Sequence, residues 1–158
     1  MQKKLYKIQD IENFDIEDVR SLYKKFVNPA QVNVVKSFGF GQELVSHAIG
    51  QWIYLKNGSK ILDFSGGYGV LSHGHNHPRI LKARINFQKD NKMEVHKNYL
   101  SQYTAALSSN ISNLLPEDLN KVFLPNSGAE ANEGAIKLAY KYHEGKKKYL
   151  LHSDISFH

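Results

Sequence analysis

The sequence predicts an α/β fold in which a small antiparallel sheet comes first and a larger α/β region begins after it. Short strand-like runs joined by tight turns lie between about residues 42 and 65. A strand–loop–helix–strand order follows between residues 121 and 152, and this order is typical of the start of a parallel sheet. The chain has 158 residues, of which 41% are hydrophobic and 23% charged, an ordinary globular composition.

The first predicted element is a helix over residues 15–27. Asp15 is a favourable N-cap, and Asn28-Pro29 is expected to end the helix. The apolar side chains recur at helical spacing and fall on one face, namely those of Ile16, Val19, Leu22, Tyr23 and Phe26.

The antiparallel sheet is predicted from two runs, Gln51–Leu55 and Lys60–Phe64. Asn57-Gly58 lies between them, and this pair favours a type I′ turn, in which both central residues have positive φ angles. Leu44–Ala48 is expected to add a third strand that turns back at Gly50.

Two loops and three helices follow the sheet. Residues 65–69 form a glycine-rich loop, and residues 73–78 form a polar turn whose Pro78 suits the first turn of a helix. Helices are predicted at about 79–93, 98–115 and 129–142, and strands at 121–124 and 149–152. A parallel sheet with only two or three strands would be small, so we expect the chain to be part of a longer protein.

Composition narrows the function classes. The chain has no cysteine, so disulfides, thiolate metal sites and a cysteine nucleophile are excluded, which fits a reducing compartment. The net charge of +6 comes from scattered residues, which indicates a solvated surface rather than a nucleic-acid site. No apolar stretch approaches the roughly 20 residues of a membrane span, and no secretory signal is expected.

Residues 126–133 are a candidate anion site. Gly128 lies where a strand gives way to a helix, and the first turn of a helix offers unpaired N–H groups with partial positive charge. Small residues let a phosphate approach the backbone, and Ser127 can add a hydroxyl group. The alternative is a capping box with Ser127 as N-cap and Glu130 at position N3.

Alternating histidines give a second candidate site, a zinc or other transition-metal centre at His73, His75 and His77. Pro78 breaks a strand at this point, Gly74 loosens it, and no cysteine or nearby carboxylate completes a tetrahedral set. We therefore predict no metal site.

Three motifs together resemble the class III pyridoxal-phosphate aminotransferases, such as the ornithine, 4-aminobutyrate and acetylornithine enzymes. Leu62–Pro78 resembles the N-terminal signature of that family, and Phe123–Ala139 resembles its phosphate loop and following helix. Ser156–His158 resembles the start of its aromatic-His-Gly motif. The resemblance covers about residues 30–158.

The resemblance implies fold type I of the pyridoxal-phosphate-dependent transferases, which is the aspartate-aminotransferase-like fold. Residues 1–78 would then be an N-terminal segment that contributes the antiparallel sheet to the small domain. Residues 79–158 would begin the large cofactor-binding α/β domain. A homodimer in the cytoplasm is expected, without nucleic acid or membrane as partner.

The resemblance also assigns site residues. Ser127, Gly128 and Ala129 would hold the phosphate of pyridoxal 5′-phosphate, Phe157 would stack on its ring, and His158 follows in the same motif. Tyr68 matches a position at the substrate pocket. None of the lysines matches the Schiff-base lysine of the family, so no catalytic residue is assigned and the segment alone is expected to be inactive.

The activity that the resemblance implies is transfer of an amino group from an amine or ω-amino acid to a 2-oxo acid or aldehyde. Two alternatives stay open at this point. One is an aminomutase similar to glutamate-1-semialdehyde aminomutase, and the other is a non-catalytic remnant that binds a phosphate ligand.

Overall fold

The computed structural model describes residues 5–95, 98–116 and 118–157. The chain divides into two compact units, Met1–Lys92 and Met93–His158, and each is described by itself. The predicted boundary after residue 78 concerns the domains of the family fold and stays a prediction.

Three helices open the first unit: α1 (Ile8–Glu12), α2 (Ile16–Phe26) and α3 (Pro29–Ser37). The predicted helix is confirmed as α2, because Asp15 caps it and accepts a hydrogen bond from the Asp18 backbone N–H at 2.8 Å. The prediction missed α1 and α3. Pro29 does not only end α2; it occupies the first turn of α3, and Asn28 caps that helix by accepting from the Ala30 N–H.

The predicted antiparallel sheet is confirmed, with strands β1 (Val45–Ile49), β2 (Trp52–Leu55) and β3 (Lys60–Leu62) in the order β1-β2-β3. Ile49 pairs with Trp52 across the first turn, and Trp52 pairs with Leu62 on the other side. One register irregularity lies between Val45 and His47.

The turn between β2 and β3 differs from the predicted type I′ turn. Gly58 has a positive φ of 86°, whereas Asn57 does not. The Gly58 N–H donates to the Leu55 carbonyl at 3.1 Å, and the Leu55 N–H donates to the Ser59 carbonyl at 2.9 Å. The loop therefore has three residues, with a positive φ needed only at the last, and the Asn57 side chain accepts from the Ser59 N–H instead.

A left-handed turn, α4 (Gly66–Gly69), follows the sheet. All four of its residues have positive φ angles. The polar turn at residues 73–77 comes next, and α5 (Pro78–Lys89) begins with Pro78 in its first turn, as predicted.

The second unit contains α6 (Gln102–Ser112) and α7 (Gly128–Tyr142). Both helices were predicted, and both start after a serine cap, Ser101 and Ser127. The ring of Phe123 lies against Gly134, where an added Cβ would be 3.0 Å from its Cε1 atom.

The predicted strands at 121–124 and 149–152 are not formed, which corrects that part of the prediction. A parallel strand exists only when a neighbouring strand completes its hydrogen-bond ladder, and in the described part of the chain neither segment has such a neighbour. Their apolar side chains are accordingly exposed, Phe123 by 68% and Leu151 by 95%.

Little apolar surface is enclosed. Among the described residues Val32 is the one buried hydrophobic side chain. The longest helix, α7, has 15 residues. Over the described ranges, every helix is too short or too polar to traverse a lipid bilayer.

Candidate cofactor and substrate site

The predicted phosphate loop forms a helix cap. The Ser127 hydroxyl oxygen accepts from the Glu130 N–H at 3.2 Å, and the Ser127 carbonyl accepts from the Ala131 N–H at 3.0 Å. The Glu130 carboxylate accepts from the Asn126 N–H at 2.6 Å. The serine half of the alternative capping box is therefore confirmed. In a standard box the Glu130 side chain would accept from the Ser127 N–H, whereas here it accepts from the N–H of the preceding residue, Asn126.

The cap leaves donors free. Within the described part of the chain, the N–H groups of Gly128 and Ala129 donate to no acceptor. They are the first two amides of a 15-residue helix, where the helix dipole adds partial positive charge. Apart from the two neighbouring residues and the backbone of the helix itself, no atom lies within 4 Å of the position that a Cβ on Gly128 would take. Cap and anion site are thus compatible rather than exclusive.

The chemistry of this donor set fits a phosphate ester. Two backbone amides and the hydroxyl proton of Ser127 can each donate to a phosphate oxygen, because the serine oxygen uses only its lone pairs on the Glu130 N–H. The carboxylate of Glu130 in the same helix turn accepts a hydrogen bond from the Asn126 N–H.

Phe157 lies beside the same helix but beyond its first turn. Its side chain is fully exposed, and it lines a cavity of about 720 Å³ between α7 and the segment after it. The other lining residues are Asn132, Ala135, Ile136, Leu150, Leu151, His152 and Ser156. Ser127, Gly128 and Ala129 do not line this cavity, so the structure does not join them to Phe157. His158 lies outside the described residues.

Tyr68 belongs to the first unit, on the left-handed turn α4. Its φ and ψ are 62° and 39°, and its side chain is 93% exposed. A bulky residue rarely adopts this conformation, which makes Tyr68 an outlier that the surrounding structure must hold in place.

Asp63 anchors the turn that carries Tyr68. One carboxylate oxygen accepts from the N–H groups of Ser65 and Gly66, at 2.8 and 3.0 Å. The other oxygen lies 2.8 Å from Nε2 of His75. The bond to His75, followed by the two backbone bonds, lowers the pKa of Asp63 to about 2. Sequence reasoning missed Asp63, whose one signal was its place between a strand and a glycine-rich loop.

The histidine turn is fixed to the sheet by its backbone. Gly50 and His75 exchange two hydrogen bonds of 2.8 and 2.9 Å, and the Asn76 side chain donates to the Ala48 carbonyl at 2.8 Å. Gly74 has a φ of 77°, and a Cβ there would lie 2.9 Å from the Gly50 carbonyl oxygen.

The carboxylate near the histidines, which the sequence did not reveal, is Asp63, and it contacts only His75 of the three histidines by hydrogen bond. Across the described residues no three histidine, aspartate or glutamate side chains are placed to hold a metal ion together. The His73 and His77 rings instead meet edge to face, with centroids 6.2 Å apart.

Comparison with known proteins gives consistent matches. The sequence model of the family described as Aminotransferase class-III matches residues 40–158. The acetylornithine aminotransferase of Methanothermobacter thermautotrophicus is 32% identical over 91% of this chain and 34% of its own length. The acetylornithine aminotransferase of Bacillus anthracis is 40% identical over 65% of this chain and 25% of its own length.

Solved structures match as well. Taurine:2-oxoglutarate aminotransferase from Bifidobacterium kashiwanohense, in complex with PLP and glutamate, aligns with a TM-score of 0.64 at 27% identity, over 82% of this chain and 28% of that one. The predicted fold class is confirmed by these matches, and the chain spans about a quarter to a third of the length of these relatives. The chain belongs to the class-III aminotransferase family.

Proposed function

We propose that this chain contributes the phosphate-binding part of a pyridoxal-phosphate-dependent aminotransferase. The enzyme would transfer an amino group from an amine or ω-amino acid to a 2-oxo acid or aldehyde. The observation that carries the proposal is the pair of free amides at Gly128 and Ala129, which lie at the start of α7 in the segment that resembles the family's phosphate loop.

The three donors have separate tasks in this proposal. The amides of Gly128 and Ala129 bind two phosphate oxygens along the helix axis, where the dipole favours negative charge. The Ser127 hydroxyl donates to a phosphate oxygen while its own oxygen keeps the Glu130 N–H. The cap therefore fixes the direction of the serine that binds the ligand.

Phe157 and His158 are proposed to contact the cofactor ring. A phenyl face offers apolar area for stacking without competing hydrogen bonds. The ring of Phe157 is fully exposed, as are many other apolar side chains of the described residues, so the motif carries this assignment. His158 is assigned on the motif alone.

Tyr68 is proposed to bind the substrate. When bound, pyridoxal phosphate withdraws electrons from the substrate carbon that bears the amino group. The chain's own contribution is recognition, since the exposed phenol of Tyr68 can hydrogen-bond a substrate carboxylate or amine.

We also propose that the cofactor-binding lysine lies outside residues 1–158 and that the segment alone is inactive. Lys137 is on α7 beyond the first turn, with Nζ 4.0 Å from the Glu133 carboxylate. Lys146 is paired with Glu144 in the turn after α7, at 2.6 Å. Neither Lys137 nor Lys146 therefore lies where it could bind a cofactor whose phosphate is held at Ser127.

Two further proposals rest on the family resemblance: a homodimeric assembly and a cytoplasmic location. Sedimentation of the purified complete protein tests the first, and fractionation of cells tests the second. A monomer at working concentration would overturn the dimer.

The complete protein, purified without added cofactor, tests the activity. We expect cofactor absorbance that survives desalting, changes when N-acetylornithine, ornithine or an ω-amino acid is added, and returns when a 2-oxo acid follows. Conversion of an amino aldehyde without any acceptor would indicate the aminomutase instead. A protein that binds inorganic phosphate but no pyridoxal phosphate would indicate the non-catalytic remnant. Either result would overturn the proposal.

A further inference from the structure

Both oxygens of the Asp63 carboxylate accept hydrogen bonds. Their partners lie in the turn that carries Tyr68 and in the histidine turn. The Asp63 side chain is 7% exposed although it lies on a surface that is otherwise open. Oδ1 accepts from the Ser65 and Gly66 N–H groups, which are the entry to α4. Oδ2 is bonded to His75. The carboxylate thus joins the Tyr68 turn to the histidine turn that follows it in the sequence.

The turn that Asp63 holds is conformationally unfavourable. Four successive residues, 66–69, have positive φ angles, and three of them are glycine, which tolerates this region. Tyr68 is the exception, because its Cβ is crowded in a left-handed turn. Two internal hydrogen bonds close the turn, from Gly69 N–H to Ser65 and from Leu71 N–H to Gly66. These bonds alone do not link it to the sheet.

The Asp63 N–H, which donates to the Gln51 carbonyl at 2.8 Å, gives one such link, and His75 supplies a second. Its backbone is bonded on both sides to Gly50, which lies in the turn between β1 and β2. Gly74 also lies so close to the Gly50 backbone that a Cβ at this position would be 2.9 Å from the Gly50 carbonyl oxygen. His75 therefore presents Nε2 to Asp63 from a fixed position, and Asp63 passes that constraint to Ser65 and Gly66.

We propose that the Asp63–His75 pair is a positioning device that holds Tyr68 in its left-handed conformation and so sets the direction of its phenol toward the substrate. Asp63 and His75 are positioning residues; Tyr68 is the group that touches substrate. The substrate part of this inference rests on the proposed function, whereas the conformational part does not.

The test uses variants of the complete protein with its cofactor. Asp63→Ala removes the acceptor for both amides, and His75→Phe keeps a ring but removes the donor. His75→Gln restores a donor and serves as the rescue variant. His73→Phe is the matched control, because it makes the same change as His75→Phe in the same turn, at a histidine that does not bond Asp63.

The first readout is hydrogen exchange of the Gly69 and Leu71 amides, measured by mass spectrometry of peptides covering residues 65–71. Loss of a hydrogen bond to a charged group is expected to speed exchange about tenfold or more in Asp63→Ala and His75→Phe. His75→Gln should recover most of the protection, and His73→Phe should retain it. Unchanged exchange in both disrupting variants would overturn the conformational part. If Asp63→Ala does not fold, His75→Phe decides.

The second readout is the split between KM and kcat for the amino donor. We expect KM to rise about tenfold in His75→Phe with a smaller change in kcat and with normal cofactor absorbance. Faster exchange with an unchanged KM would overturn the role in substrate recognition. A complete protein without any transamination would overturn that role together with the proposed function, while the exchange data would still judge the conformational part.

Discussion

The two regions that carry the candidate site residues are built in different ways. In the sheet region, residues 45–78, hydrogen bonds join distant parts of the sequence, such as Asp63 to His75 and Asn76 to the Ala48 carbonyl. In the loop-and-helix region, residues 121–157, the bonds that shape the Ser127 loop join residues three or four positions apart.

This difference shows which structural features each region forms with its own hydrogen bonds alone. An antiparallel hairpin completes its own ladder, so the Tyr68 turn has a scaffold within the same unit. A helix cap is equally local, so the free amides at the start of α7 are also fixed. The strands that should flank α7 need neighbours from elsewhere, and the region therefore has donors but no formed sheet.

The largest expected effect is on the cofactor side. Gly128→Asp in the complete protein should weaken cofactor binding at least about hundredfold, since two like charges about 4 Å apart near a protein surface repel by about 4 kcal/mol. Cofactor absorbance after desalting measures it. Asn110→Asp on α6 adds the same charge on an exposed residue and should leave the cofactor bound. Normal absorbance in Gly128→Asp would contradict the phosphate assignment.

The next effect is on the sheet side. Gly74→Ala should lower the free energy of unfolding by about 2 kcal/mol or more, because it combines an unfavourable φ with a collision against the Gly50 backbone. Gly39→Ala is the control, since its φ is similar, +79°, but no atom lies within 4 Å of the added Cβ. The midpoints of denaturant unfolding of the complete protein compare the two variants. Equal losses of stability would show that the contact with the Gly50 backbone is unimportant.

Two caps of the same type separate folding from binding. Ser127→Ala and Ser101→Ala should each weaken a helix start by about 1 kcal/mol. Only Ser127→Ala should also reduce the affinity for pyridoxal phosphate. Circular dichroism and cofactor titration on the complete protein distinguish the two effects, and an equal loss of affinity in both variants would remove Ser127 from the site.

The smallest effect is the acid sensitivity of the Tyr68 turn. Because the folded pKa of Asp63 is lowered to about 2 from an ordinary value of about 3.9, ionised Asp63 favours the folded turn above pH 4. That stabilisation should fall away as the pH drops from about 4 to about 2. Hydrogen exchange at residues 65–71, compared between the wild type and Asp63→Asn, measures it. Parallel pH profiles would contradict the role of the ionised Asp63 carboxylate in holding this turn.

The sequence predicted those features whose cause is local. Asp15 and Ser127 cap their helices as expected, and the hairpin forms where Asn57 and Gly58 indicated a turn. The predicted type of that turn was wrong, because Asn-Gly suits both a two-residue and a three-residue hairpin loop. The strands at 121–124 and 149–152 are not formed, since pairing depends on partners that no local pattern shows.

The candidate site was predictable to a similar degree. The motif around Ser127 identified the free amides, and the motif around Tyr68 identified the exposed phenol. The Asp63–His75 bond could not be predicted, because it depends on how a strand end and a turn twelve residues later meet in space. The place of Phe157 relative to Ser127 stays a prediction.

The contact between Phe123 and Gly134 offers a way to adjust the cofactor loop without altering its donors. The ring rests where a side chain at position 134 would begin, and Phe123 lies only four residues before Ser127. A graded series at position 134, from alanine to valine, would push the ring outward by increasing steps and move the start of the loop with it. If the loop holds the coenzyme as proposed, its retention should fall stepwise along this series although Ser127, Gly128 and Ala129 are unchanged.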